Sequence, residues 1–240
     1  MIPHDTHLHI GSLLFEGIDQ IDLTGPFEVL SRMPNATYRI YGKTAAPVRD
    51  MKGLWLTPDA PLADAPPLDV LHVPGGFGQE SLMEDGEVLG WIRQQAAGAC
   101  GIFSVCTGAL LCGAAGLLKG RRATTHWAAL HLLPYFGALP VNARVVVDGV
   151  WVFAAGVTAG IDGALRLAAE LRGDAAAQAI QLQMVYAPEP PFESGTPETA
   201  PAATLQQVRQ SLRAITARRE ETARRVGAKL GITVTASGSE

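Results

Sequence analysis

Ile102-Phe103-Ser104-Val105-Cys106-Thr107-Gly108-Ala109-Leu110-Leu111 is the stretch on which the chain turns. Before Cys106 the residues are apolar and β-forming, as in a buried strand. After Gly108 they are small and apolar, which predicts a helix over 109–118. A cysteine at a switch from strand to helix, with glycine two places on, has the layout of a nucleophile elbow. Such a turn needs a residue without Cβ where helix and strand approach, and Gly108 supplies it. The turn is expected to lift the Cys106 sulfur out of the sheet edge, toward the positive end of the next helix, where the thiolate is favoured. Cys100 and Cys112 have no such context and read as small hydrophobes.

The composition of the whole chain allows a large core. The 240 residues are 48% hydrophobic and 18% charged, with a net charge of −4. No basic face stands out, so nucleic acid is not an expected partner. Three cysteines without CxxC spacing argue against a disulfide framework or a zinc site. His4, His7 and His9 lack acidic or cysteine neighbours with ligand spacing and read as a solvated lead into a strand, so no metal is expected. The first residues have no signal-peptide pattern, and no apolar run reaches membrane-spanning length. A cytoplasmic protein is the expectation.

Strand signals fall at 8–15, 38–41, 68–74, 102–105, 144–147 and 150–154, the last two forming a hairpin around Asp148-Gly149. Residues 48–57 suggest a smaller hairpin turning at Gly53, and 60–67 a proline-rich connection. Helices are expected from Pro26 to 33, and over 83–97, 127–136, 163–171, 175–186 and 202–230. Alternating strands and helices predict a doubly wound, mostly parallel α/β sheet flanked by helices, with a flavodoxin-like or class I glutamine amidotransferase-like layout and a C-terminal helix. Residues 1–187 would form that domain. Residues 188–240 would form a proline-rich arm and an amphipathic helix packed on the domain or on a dimer partner, ending in a frayed tail over 233–240.

In doubly wound sheets, ligands bind beyond the carboxyl ends of the strands. The unusual loops of this chain all occupy such positions. Asp22, an acid between Ile21 and Leu23, follows the first strand; helix capping is its simpler role. Gly75-Gly76 follows another strand and offers backbone N–H groups to a negative oxygen. Cys106, His126 and Gly156 follow three more. A thiolate, a carboxyl group, backbone donors and a small-residue rim would then surround one pocket.

Ile21-Asp22-Leu23-Thr24-Gly25-Pro26, Pro74-Gly75-Gly76, Ser104-Val105-Cys106-Thr107-Gly108, Ala123-Thr124-Thr125-His126-Trp127 and Thr158-Ala159-Gly160-Ile161-Asp162 together resemble the cysteine-nucleophile superfamily of PfpI proteases and the parkinsonism-associated deglycase. Within it the chain is most similar to the isocyanide hydratases. Asp22, where proteases and deglycases carry glutamate, is the sharper clue. That resemblance implies Cys106 as nucleophile, Asp22 as its proton partner and Thr107 as a hydrogen-bonding neighbour. It also implies a homodimer, no cofactor and an isocyanide substrate hydrated to an N-substituted formamide through a Cys thioimidate. Gly75, Gly76, His126, Gly156 and Val157 are the expected substrate or oxyanion contacts. Ala155-Gly156-Val157 departs from the Gly-Gly-Ile of hydratases and bears on packing and substrate size. A deglycase or glyoxalase acting on 2-oxoaldehydes, or a cysteine redox sensor, are the other activities such residues permit. Similar domains precede AraC-type DNA-binding units, but the stretch after Pro201 has room for one long helix rather than two helix-turn-helix motifs, so an enzyme is expected.

Overall fold

The computed structural model describes residues 1–233, so the expected frayed tail lies outside the described residues except for Thr233. The strands are β1 (Leu8–Leu14), β2 (Ala36–Gly42), β3 (Val48–Arg49), β4 (Trp55–Leu56), β5 (Ala60–Pro61), β6 (Val70–Val73), β7 (Gly101–Val105), β8 (Arg122–Ala123), β9 (Leu139–Pro140), β10 (Val145–Asp148) and β11 (Trp151–Ala154). The helices are α1 (Gln20–Leu30), α2 (Gln79–Leu82), α3 (Gly86–Ala96), α4 (Gly108–Ala114), α5 (Ala159–Arg172), α6 (Asp174–Gln183) and α7 (Ala202–Lys229), with 3-10 segments at Leu62–Asp64 and Trp127–Phe136.

Seven strands form one sheet in the order β10-β11-β7-β6-β1-β2-β5. Every pairing in it is parallel except that of β10 with β11, the expected hairpin. Alternate side chains divide the core between its two faces. Leu13, Leu71 and Ile102 point to the layer of α3, α4, α7 and the 127–136 segment. Ile10, Val70 and Phe103 point to α1, α5 and α6. Strands β6 and β7 are buried along their whole length, which is why they read as continuous apolar runs.

The structure corrects several boundaries. Helix α1 begins at Gln20, six residues before Pro26, and holds that proline in its interior. Pro26 has no N–H for the carbonyl four residues back, so the Asp22 carbonyl loses its helical donor. The connection at 60–67 contributes an edge strand, β5, to the sheet. Helix α5 starts at Ala159, so Asp162 lies in its first turn. Its carboxylate pairs there with Arg144 and accepts from the Tyr186 hydroxyl at 2.9 Å.

Candidate active site

Three neighbouring strands in the middle of the sheet deliver the site. Helix α1 follows β1, Gly75-Gly76 follows β6, and Cys106 follows β7. Cys106 has φ 55°, a left-handed conformation costing a non-glycine residue about 1–2 kcal/mol. Two hydrogen bonds hold it there. Its N–H donates to Ala154 O at 2.9 Å, and the Thr125 hydroxyl donates to its carbonyl at 2.6 Å. A Cβ on Gly108 would lie 2.0 Å from Val73 O, so the elbow closes only on glycine. The residue at its apex is 7% exposed.

Asp22 is 0% exposed. The cap of α1 is Asp19, whose carboxylate accepts from the Ile21 N–H at 3.3 Å, so Asp22 has no capping role. The Gly75 N–H donates to Asp22 Oδ2 at 3.1 Å. Oδ1 is buried without a well-formed partner, and the side chain that couples to the carboxyl is Cys106. Burial, with Asp19 adding to it, holds the Asp22 carboxyl well above the usual carboxylate range. Burial and the Asp22 charge likewise push the Cys106 thiol up, against the Arg219 charge and the Thr107 N–H. Two buried acids in contact disfavour each other's ionisation, so the pair titrates as a unit in two steps, the second proton held more tightly than the first. Helix α4 is only seven residues long, and the help it was expected to give the sulfur comes down to that one Thr107 N–H.

The glycine pair does something other than the expected open cradle. The Gly75 N–H is engaged by Asp22 and the Gly76 N–H donates to Thr107 Oγ1 at 3.2 Å. Both donors therefore orient the protein's own groups. The Gly75 carbonyl accepts from the Asp19 N–H at 3.0 Å, so this loop is knitted to the start of α1 from both sides.

His126, Gly156 and Val157 lie on a separate cleft of about 380 Å³, lined also by Thr125, Asn142, Thr158 and Glu198. Cys106, Asp22, Thr107, Gly75 and Gly76 form the buried cluster beside it. Thr125 joins the two through its bond to the Cys106 carbonyl. His126 Nδ1 accepts from the Ala128 N–H at 3.3 Å, capping the 127–136 segment. Burial and the Arg219 charge lower its pKa to about 4, so it is neutral at physiological pH. A larger groove of about 840 Å³ lies elsewhere, between Trp127 and His131 and the start of α7.

Two contributors were not anticipated. Arg219, on α7, is 4% exposed and reaches the Gly76 carbonyl at 2.7 Å. Its signal was present in the sequence, since it falls four residues after Ile215 on the buried stripe that continues to Ala223 and Val226. His72, on β6, is fully buried, and its Nδ1 lies 2.9 Å from Ser12 Oγ and 2.7 Å from Tyr38 Oη. Desolvation drops its pKa to about 3, and the Asp22 carbonyl is the group that opposes this. The neutral ring lies near the Asp22 carbonyl that Pro26 cannot serve, with Nε2 buried and without a well-formed partner.

The fold and site together define an α/β protein with a cysteine on a nucleophile elbow and a buried carboxyl partner. The chain belongs to the DJ-1/PfpI family, whose model matches residues 9–170. It is 50% identical to the isonitrile hydratase of Pseudomonas putida over 94% of this chain and 99% of that one. A ThiJ/PfpI family protein from Pseudomonas syringae has a crystal structure that superposes with a TM-score of 0.89, at 38% identity over 92% of this chain and 93% of that one. The HTH-type transcriptional regulator CdhR of Pseudomonas aeruginosa is 30% identical over 67% of this chain but only 48% of its own length.

Proposed function

We propose that the protein is an isocyanide hydratase, a hydro-lyase that uses Cys106 as nucleophile and Asp22 as proton donor. The observation that carries this reading is the buried carboxyl of Asp22, held by Gly75 against the elbow cysteine. The near full-length similarity to an isonitrile hydratase supports it.

An isocyanide has an electrophilic terminal carbon and no leaving group. The Cys106 thiolate forms an S–C bond to that carbon, while Asp22 delivers its proton to the same carbon, giving a thioimidate. Water then adds to the thioimidate carbon, with its proton passing to Asp22 and from there to nitrogen. Collapse breaks the S–C bond as the hydroxyl proton passes to Asp22, which releases the N-substituted formamide and returns both the thiolate and the protonated carboxyl. Thr107, whose hydroxyl accepts from the Gly76 N–H, would hold developing charge or the water. The cleft bordered by His126, Gly156 and Val157 would receive the substituent on nitrogen. No cofactor enters the scheme.

In this reading residues 1–187 carry the chemistry, α7 completes the site through Arg219, and the protein works as a cytoplasmic homodimer. The first half of α7 leaves Leu205, Val208 and Leu212 incompletely covered beside the 840 Å³ groove, a surface suited to a second copy. No helix among the described residues is long and apolar enough to cross a membrane.

Incubation with cyclohexyl isocyanide tests the reading. The wild type is expected to produce the formamide and Cys106→Ala to produce none. Inactive wild type that instead converts methylglyoxal to a hydroxy acid would replace the hydratase by a glyoxalase.

A further inference from the structure

The guanidinium of Arg219 is buried, yet every group it bonds is formally neutral. Its Nε donates to Gln79 Oε1 at 3.1 Å, and its Nη2 donates to the Gly76 carbonyl at 2.7 Å and to Thr107 Oγ1 at 3.5 Å. The Phe77 ring lies 5.8 Å away. Among the described residues it forms no ion pair, whereas Arg218, Arg224 and Arg225 of the same helix all pair with glutamates. A buried cation with neutral acceptors alone is costly unless an anion stands close by. The negative groups that act on it are Cys106, Glu80 and Asp22, in that order. Glu80 is already engaged, by the Thr222 hydroxyl at 2.6 Å and by Arg218.

We propose that Arg219 is a positioning residue for the Cys106–Asp22 pair: its buried charge draws the pair's single negative charge onto sulfur and leaves the proton on Asp22, while its fork fixes the Gly76 carbonyl and Thr107 beside them. The geometry explains how one helix serves both ends. Thr107 is the residue after the nucleophile, and Gly76 is the residue after the glycine that holds Asp22. Of the charges that act on the pair, Asp19 disfavours ionisation of either member and Arg219 favours it at both, with Cys106 ahead of Asp22 among the charges that act on Arg219 in return; of the other groups near Arg219, His126 is neutral and Arg218 turns to Glu80. Arg219 is therefore the cation on which the location of the charge turns, and the Thr107 N–H is the other group favouring the thiolate.

The test is the pH dependence of Cys106 alkylation by iodoacetamide, followed by mass spectrometry of its peptide. Arg219→Gln is expected to raise the midpoint by about one pH unit or more. Its kcat for isocyanide should fall at least about tenfold with a smaller change in KM. Arg219→Lys, which keeps the charge, should restore most of the midpoint. A folded Arg219→Gln protein titrating like wild type overturns the proposal. A measurement on the unaltered residue stands beside it. The Arg219 Nε–H resonance in 15N spectra should shift with the Cys106 midpoint and lose that dependence in Cys106→Ala; a resonance flat through that midpoint also overturns it. The inference builds on the hydratase reading only through its turnover readout. A wild type that makes no formamide, with the alkylation shift present, sinks the activity and leaves Arg219 in its role.

Discussion

The Gly75 N–H donates to Asp22 Oδ2 at 3.1 Å and leaves Oδ1, buried in the same carboxyl, without a well-formed partner. A carboxyl gripped by one oxygen and coupled at its side chain to Cys106 is oriented for proton transfer. Asp22→Asn keeps the shape and removes the exchangeable proton. Formamide production by this variant is expected to fall by about two or more powers of ten. Wild-type kcat/KM should rise as the pair loses its first proton and decline as it loses the second, because only the singly charged pair has both nucleophile and donor. The alkaline decline should vanish in Asp22→Asn. Retained turnover with an unchanged pH profile would remove Asp22 from the chemistry.

Gly75 is irreplaceable for a steric reason. A Cβ there would lie 2.6 Å from the Thr107 backbone nitrogen and 3.0 Å from Asp22 Oδ2. Neither neighbour is the free end of a flexible side chain. Gly75→Ala is expected to cost about 1–3 kcal/mol of stability. It should also lower kcat at least about tenfold, since the carboxyl and the elbow must separate. Urea denaturation with steady-state kinetics measures both, and a variant as stable and active as wild type would refute the packing argument.

His72 makes stability depend on pH. Its pKa is about 3 in the folded protein, below the usual histidine value of 6.5. Above 6.5 the ring is neutral whether folded or unfolded and contributes nothing to the dependence. As pH falls through 6.5 toward 3 the unfolded chain takes the proton and the folded one does not, so stability is lost. By pH 5 this amounts to about 2 kcal/mol from His72 alone. His126, lowered to about 4, acts in the same direction. His72→Gln should flatten the slope of unfolding free energy between pH 7 and 5; an unaltered slope would show that the buried ring is not its source.

The incompletely covered apolar residues at the start of α7 give an assembly prediction. Leu212→Glu is expected to shift a wild-type dimer to monomers in sedimentation velocity, with the far-ultraviolet circular dichroism unchanged. A monomeric wild type, or a variant that stays dimeric, would remove this surface from the interface.

What the sequence disclosed follows from local pattern. The elbow was legible because strand and helix signatures meet at Cys106, and Asp22 because an acid between two apolar residues stands out. The parallel sheet followed from buried apolar runs at 68–74 and 102–105. The start of α1 was hidden by Pro26, because a proline reads more readily as the first residue of a helix than as one inside it. The role of Gly75 and Gly76 was equally hidden. Free N–H groups after a strand look alike in sequence whether they await a ligand or hold Asp22 and Thr107. Arg219 is visible in the sequence as an arginine on an apolar stripe, but its target lies more than a hundred residues earlier, beyond any periodicity.

The bond from Arg219 to the Gly76 carbonyl ties the candidate site to the last helix of the chain. Every strand of the sheet, the elbow and the acid are synthesised before the helix that clasps them. If Arg219 positions the pair as proposed, a chain truncated before α7 keeps the sulfur and the acid but lacks the clasp.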